Sequence, residues 1–524
     1  MNNKKQRFKK IAHAALASFL CAATLNATWA QESPPSKTAV TFGACEQAQH
    51  GTTFYGAQCA KITLPATTAS PEATLNLLKA RARSTPTQDP LVVITGGPGT
   101  SAVSLAWQYL RFFYAVQKKR DILFIDQRGT GKSAPFSCEN VNDIDQTLPS
   151  EQLVAAMNTA LVQCAGDYDS PEQRLTAITT RQAALDIEAV RKQLGYAQLN
   201  LWGSSYGTRV AMEYQYLFPQ TSRTVIIDGV APGAIALPRH AEYDAALALQ
   251  QLFNACQVQP ECLKSFGDLH QKWQHIIANL TKTPSKAKLF HPRTQEALST
   301  TITAPLVANW VRFALYNREL SALLPMAINA AFEGNYRPLS NLAQIASDSV
   351  HDGMSYGMHA AILCAEDSQA PHLPRNQQAL PTMPFSAVND LSPACQALPK
   401  ADSNSIQSLF SPINSATPTL ITSGQFDPVT PPFWGDWASQ NMTNAKHIVV
   451  PGGHHGVTGV GCIPKLMAQF IESAQLDALD TSCVEHIKPV DFFIDNAGPA
   501  LKSTDLPLQT DTARSPNAEE LPRD

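Results

Sequence analysis

A chain of 524 residues with 40 Lys plus Arg against 43 Asp plus Glu carries little net charge, a formal −3. Such a balance excludes the basic footprint of a nucleic-acid-binding protein. Beyond residue 30 no run approaches the ~18 uninterrupted apolar residues of a membrane span, so no membrane partner is expected for the processed chain. No C-x-x-C pair and no Cys/His cluster of zinc spacing occurs, which removes structural zinc as a use for the cysteines. Internal repeats and low-complexity tracts are missing too. What is present is ample core material: 44% of the residues are hydrophobic and only 16% charged. At ~150 residues per unit the length suits two or three packed units.

Residues 1–30 read as a segment outside the fold. Lys4, Lys5, Arg7, Lys9 and Lys10 form a basic start, an apolar stretch runs from Ile11 to Leu25, and Thr28-Trp29-Ala30 closes it. That order is the pattern of a cleaved signal peptide, and it predicts a periplasmic or secreted protein. Bulky Leu20 before Cys21 argues against a lipoprotein site. The remaining ten cysteines form five local couples: Cys45 with Cys59, Cys138 with Cys164, Cys256 with Cys262, Cys364 with Cys395, and Cys462 with Cys483. In an oxidising compartment they predict up to five disulfides. Neighbour pairing closes the shortest loops and costs the least entropy.

Short apolar runs ending in Gly- or Pro-marked turns recur at Pro90–Thr95, Asp121–Asp126, Leu199–Trp202, Thr224–Asp228, Thr419–Thr422 and Lys446–Val450. Without clean alternation, they suit strands buried on both faces of a largely parallel sheet. Helical patterns lie between them, as at Thr180–Leu194 and Thr208–Phe218, so the fold class is α/β. The alternation stops after Val230 and resumes near Pro418. Between these points Tyr243–Ala255, Leu306–Tyr316 and Ser321–Phe332 read as helices, which predicts an all-helical cap inserted in the core. The expected organisation is a core over 31–235 and 416–495, a cap with wrapping loops over 236–415, and a disordered tail over 496–524.

The strongest chemical signal is Gly203-Ser204-Ser205-Tyr206-Gly207, entered from an apolar strand and left by a helix. A nucleophile elbow needs this arrangement: the central serine occupies a tight strained turn, so the residues two before and two after must be small. Ser205 is therefore the candidate nucleophile. A serine hydroxyl needs a base and an orienting carboxylate, which in this fold follow in the order Ser, acid, His on loops after later strands. Asp427 follows the strand Thr419–Thr422. His454 and His455 follow Lys446–Val450, and His455 is chosen because Gly456 leaves its imidazole room, with His454 given a solvent or substrate-side role. An oxyanion hole needs two backbone N–H donors. Tyr206 supplies one and Gly97, within Gly96-Gly97-Pro98-Gly99, the other.

Gly96–Gly99, the run Asp126-Gln127-Arg128-Gly129-Thr130-Gly131-Lys132-Ser133 and Gly203–Gly207 together resemble the proline iminopeptidase family. The tripeptidyl-aminopeptidase branch is the closer match, through the Gly-x-x-Asp-x-x-Thr-Pro pattern at Gly424–Pro431 and the His-Gly segment followed by Cys462. One departure is Thr95, where proline iminopeptidases commonly carry His. The resemblance implies an α/β-hydrolase core and a serine aminopeptidase acting on short peptides with a free N-terminus, needing no cofactor and no metal. An exopeptidase must recognise the substrate α-ammonium, and Glu366, then Asp367, in Cys364-Ala365-Glu366-Asp367 are the candidates; Glu213 is a weaker one. Asp126 and Arg128 are expected to brace loops. Trp310, Phe313, Tyr316 and Tyr356 are candidates for an apolar lining. Two rival readings stand beside the aminopeptidase: an esterase or small-amide hydrolase with the same triad, and a catalytically idle binding protein.

Overall fold

A computed structural model of the chain describes residues 40–500 except 46–55, 68–69, 145–147, 149, 169–173, 238, 352, 373–379 and 386–389. The expected signal peptide lies outside the described residues, as does the expected tail beyond residue 500.

The centre is an eight-stranded sheet. Its strands are β1 (Ala57–Leu64), β2 (Ala73–Ala80), β3 (Leu91–Ile94), β4 (Ile122–Ile125), β5 (Leu199–Ser204), β6 (Ser222–Asp228), β9 (Thr419–Gly424) and β10 (Ala445–Val450). They lie in the order β1-β2-β4-β3-β5-β6-β9-β10. From β4 to β10 every pairing is parallel; β1–β2 and β2–β4 are antiparallel. The sequence reading missed β1 and β2. Their polar and apolar residues mix, with Asn76 and Lys79 inside β2, so neither presents the apolar run that marks the central strands.

Successive side chains leave a strand on opposite faces. Val92, Ile94, Leu123, Ile125, Leu201 and Val225 pack into one layer, and Leu91, Val93, Ile122, Phe124, Trp202 and Ile226 into the other. Both faces are covered, which is why the strands read as unbroken apolar runs. Helix Thr180–Leu194 shows how a covering element is specified. Thr179 caps it by accepting from Gln182 N–H, Gly195 ends it at φ 74°, and Ala183, Ala184, Ile187 and Val190 form the buried face. Helix Ile463–Ser473 covers the opposite layer with Leu466, Met467, Phe470 and Ile471.

Between β6 and β9 the chain builds a second core of its own from helices Ala241–Gln257, Leu269–Lys282, Ala304–Leu315, Leu324–Phe332 and Arg337–His351. It is not all-helical, as the periodicity had implied. A hairpin of β7 (Ser285–Phe290) and β8 (Ala297–Ile302) interrupts it, with exposed Lys286 and Lys288 alternating with less exposed neighbours along β7. The start of the expected tail is ordered as well, since Phe493–Asp495 pairs with Gly498–Pro499. Disulfides join Cys45–Cys59, Cys138–Cys164, Cys256–Cys262, Cys364–Cys395 and Cys462–Cys483. Among the described residues no helix is long and apolar enough to cross a membrane.

Candidate active site

Ser205 sits at the junction of β5 and helix Tyr206–Leu217, with φ 54° and ψ −127°. A non-glycine residue in such a conformation costs about 1–3 kcal/mol and persists only where its surroundings impose it. Here they do. A Cβ on Gly203 would stand 2.4 Å from the Gly207 carbonyl oxygen, and one on Gly207 would stand 2.1 Å from that of Ile94. Ser205 N–H donates to the Asp228 carbonyl at 3.0 Å, which pins the turn to the end of β6.

The Gly96–Gly99 loop lies against this turn. A Cβ on Gly96 would come within 2.8 Å of Ser205 Cβ, and Gly97 has φ 109°. Gly97 and Tyr206 therefore belong to two segments in contact beside Ser205. As the first residue of its helix, Tyr206 has a backbone N–H with no intrahelical acceptor. His359, which the sequence reading passed over, donates from Nδ1 to the Pro98 carbonyl at 3.1 Å. Burial lowers its pKa and keeps the imidazole neutral.

Asp427 and His455 come together on the loops after β9 and β10. His455 Nδ1 lies 3.0 Å from Oδ1 and 2.9 Å from Oδ2 of Asp427. The Asp427 carboxylate is wholly buried and also accepts from Val429 N–H, Thr430 N–H and Thr430 Oγ1 at 2.8, 2.8 and 2.7 Å. Burial alone would raise its pKa, but His455 and the Thr430 donors outweigh burial and hold it low. For His455 burial opposes the charged form, yet the charge and hydrogen bond of Asp427 prevail and raise its pKa. Gly229, one residue past β6, approaches this pair: a Cβ there would be 3.5 Å from His455 Cε1 and from Asp427 Oδ2. The Ser205 backbone N–H is bonded to the carbonyl of the adjacent Asp228, so the Ser205 turn and the Asp427–His455 pair both lie against the end of β6.

Asp228 itself is a site residue that the sequence reading took only as the end of a strand. Its buried carboxylate accepts from Val457 N–H, Thr458 N–H, Thr458 Oγ1 and Thr422 Oγ1 at 2.6–3.0 Å. It thereby anchors the segment that follows His455. No local signal marks it, because its partners lie on other strands and loops.

Three expectations need correction. His454 has no solvent or substrate-side role: it is buried, with Nδ1 2.7 Å from the Leu315 carbonyl and Nε2 2.9 Å from Ser321 Oγ. Desolvation drops its pKa to about 4, so it stays neutral and ties the histidine loop to the inserted helices. Glu366 and Asp367, expected at the substrate amine, are wholly buried. Glu366 accepts from Thr180 N–H and Oγ1 at 2.6 and 2.7 Å and from Arg209 Nη1 at 3.2 Å, while Asp367 accepts from Arg209 Nη1 at 2.7 Å. A free α-ammonium would have to displace Arg209 to reach them. Glu213 is buried too and is taken up by Arg181 and Ser408 at 3.0 and 3.1 Å. Among the aromatic candidates, Tyr316 packs edge-on against His455 with ring centroids 5.2 Å apart, and Phe313 stacks on Tyr316. Trp310 belongs to the core of the insertion and Tyr356 to the main core.

Asp126 and Arg128 do brace loops. Asp126 accepts from Asn76, Ser101, Val103 and Lys132, and Arg128 makes a two-pronged bond to Asp186 at 2.7 and 3.0 Å. A hydrogen-bonded Ser–His–Asp string elsewhere in the chain shows why geometry alone is insufficient. His447 links Asp436 Oδ1 at 2.8 Å to Ser423 Oγ at 2.9 Å, but Ser423 is sealed inside β9 at 0% exposure. No substrate reaches it, and the string serves as a brace. Ser205, by contrast, is only partly covered.

Two family models match the chain: residues 89–265 match the alpha/beta hydrolase fold and residues 382–483 match TAP-like protein. Serine protease Hip1 of Mycobacterium tuberculosis H37Rv is 26% identical over 453 residues, covering 79% of this chain and 85% of that protein. Tripeptidyl aminopeptidase of Streptomyces lividans is 25% identical over 472 residues, covering 82% of this chain and 84% of that protein. YuaR of Escherichia coli K12 is 32% identical over 145 residues, a stretch that spans 27% of this chain and 28% of YuaR. A mostly parallel sheet, a serine on a strand-to-helix turn and these matches lead to one conclusion: the chain is an α/β-hydrolase-fold enzyme with a TAP-like C-terminal part.

Proposed function

We propose that the protein is an exported serine aminopeptidase that releases short N-terminal fragments from peptides through an acyl-enzyme. The observation that carries this reading is the convergence of the Ser205 turn with the Asp427–His455 pair at the end of β6. In the proposed mechanism His455 takes the Ser205 proton as Oγ attacks the scissile carbonyl, and Asp427 holds the imidazole in tautomer. Backbone N–H groups of Gly97 and Tyr206 bind the oxyanion. The proton on His455 then passes to the leaving amine, and water attacks the acyl-enzyme to free the fragment. Export is supported by the basic and apolar start of the chain and by the disulfides.

The pairing of Glu366 and Asp367 with Arg209 supports one rival, an esterase or small-amide hydrolase, because it occupies the acids nominated for the amine. Mass spectrometry of matched peptides with free and acetylated N-termini separates the two. The aminopeptidase reading expects cleavage of the free forms alone, with fragment length read directly. Hydrolysis of simple esters with neither peptide form cut would overturn it.

A pH profile offers a second check. His455 acts only when neutral, and Asp427 raises its pKa, so the rising limb of kcat/KM is expected above the ordinary histidine value of ~6.5. Asp427→Asn removes that charge and should move the limb to lower pH while cutting kcat by roughly 10⁴-fold. A limb at or below 6.5 in the parent enzyme would speak against His455 as the base.

A further inference from the structure

One cation over the site is left unexplained by the proposed mechanism. Arg312 lies on helix Ala304–Leu315 of the insertion. Its Nη2 donates to Tyr316 Oη at 3.0 Å, and the Tyr316 ring is the one packed edge-on against His455. The guanidinium lies over the rings of Tyr316, Phe313 and Phe385 at 5.4, 5.9 and 5.3 Å. Rings hold the plane of an arginine in place while leaving its N–H edge free for hydrogen bonding. Beyond the Tyr316 bond that edge is unclaimed: among the described residues no carboxylate pairs with Arg312, and its buried Nε–H has no acceptor. Among the other buried or half-buried arginines, Arg120, Arg128, Arg191, Arg209 and Arg223 have carboxylate partners, while Arg318, whose Nε–H likewise has no acceptor, donates to the Lys488 carbonyl.

Its location follows from Tyr316: the hydroxyl accepts from Arg312 Nη2 at 3.0 Å while the same ring packs on His455 at 5.2 Å, so one side chain links the guanidinium to the proposed base. A fork of N–H donors without a carboxylate in that place fits a planar two-oxygen acceptor.

We infer that Arg312 is a specificity-determining residue that binds a carboxylate of the substrate. This rests on the peptidase reading and narrows it: preferred peptides carry a carboxylate close to the scissile bond, either the free C-terminus of a short peptide or an acidic side chain. It also gives recognition a source other than Glu366 and Asp367, whose carboxylates are taken up by Arg209.

The test uses the full enzyme with two matched peptide pairs. One pair differs only as C-terminal acid against amide, the other only as Glu against Gln beside the cleaved bond. Each peptide is measured both as a substrate and as an inhibitor of p-nitrophenyl acetate turnover. The parent enzyme is expected to favour the carboxylate member of at least one pair by roughly 10- to 100-fold, the range of a charge-assisted hydrogen bond. In Arg312→Gln that ratio should fall to within about threefold of one, and Arg312→Lys should restore part of it, as a point charge without the fork. The ratio is internal to each variant, so a general loss of activity does not obscure it, and melting curves report folding. Which pair responds identifies the source of the carboxylate. Equal treatment of acid and neutral members by the parent, or a preference that survives Arg312→Gln, would overturn the inference. Carboxylates that inhibit preferentially without being cut would retain Arg312 and remove the peptidase reading instead.

Discussion

Replacing Ser205 by alanine should lower kcat by about 10⁶-fold for every substrate the enzyme turns over, with the fold intact. Only a change at the base is expected to cost as much. Nucleophile and base act as a unit, so His455→Ala should match it and the double variant should be hardly worse. A fluorophosphonate probe gives the direct readout: it should label the parent at Ser205 and leave Ser205→Ala unlabelled. Labelling at Ser423 would reverse the argument from burial, because that serine has the hydrogen-bond string but no exposure. The elbow conformation adds a stability test. At φ 54° and ψ −127° glycine is less strained than alanine, so Ser205→Gly should be inactive and at least as stable as Ser205→Ala. A glycine variant that melts below the alanine variant would mean that the turn is not strained.

The second large effect concerns stability. Arg209→Met should destabilise the protein by about 3–5 kcal/mol, because it strips the guanidinium from two wholly buried carboxylates. Burial raises the pKa of both Glu366 and Asp367, and Arg209 only partly counters it. A carboxyl with a folded pKa above its unfolded one binds more protons when folded, so its contribution weakens as pH rises through the folded pKa. The deficit of Arg209→Met against the parent should therefore be larger at pH 8 than at pH 5, in denaturation followed by tryptophan fluorescence. Adding Glu366→Gln and Asp367→Asn to the arginine variant should recover much of the loss. A deficit that is independent of pH would point to lost packing. Activity should suffer as well, since Glu366 holds Thr180, and Thr180 Oγ1 lies 3.1 Å from the hydroxyl of Tyr206, the residue after the proposed nucleophile.

Much of the fold was legible because strands buried on both faces declare themselves, as Leu91–Ile94 and Ile122–Ile125 do. Ser205 was legible because the glycines that its turn requires are adjacent to it in sequence. Asp427 and His455 could be placed by chain order, each just after an apolar run. What escaped notice was set by distant partners. Nothing near Glu366 or Asp367 shows that Arg209, on the helix leaving the elbow, will neutralise them in the interior, so two adjacent acids on a loop looked available. Asp228 is equally silent: its acceptor role depends on Val457 and Thr458, which only the sheet brings close. His454 and His455 are indistinguishable by composition, and only the Leu315 carbonyl and Ser321 decide which of them faces inward. The antiparallel strands β1 and β2 lack a continuous apolar run, and β7 of the hairpin carries lysines where a buried strand would carry valines.

The order in which the chain delivers its parts has a consequence during synthesis. β5 and the Ser205 turn are made early, but β9 and β10, which lead into Asp427 and His455, are made only after the whole insertion, β9 then pairing with β6 and β10 with β9. A ribosome-bound or truncated chain ending before β9 holds the proposed nucleophile with neither base nor acid. The buried link from His454 to Leu315 and Ser321 extends this dependence, since the histidine loop reaches its final position only against a folded insertion. On the proposed triad, hydrolytic competence therefore waits for the late strands and the folded insertion together, and chains ending before β9 are expected to be inert.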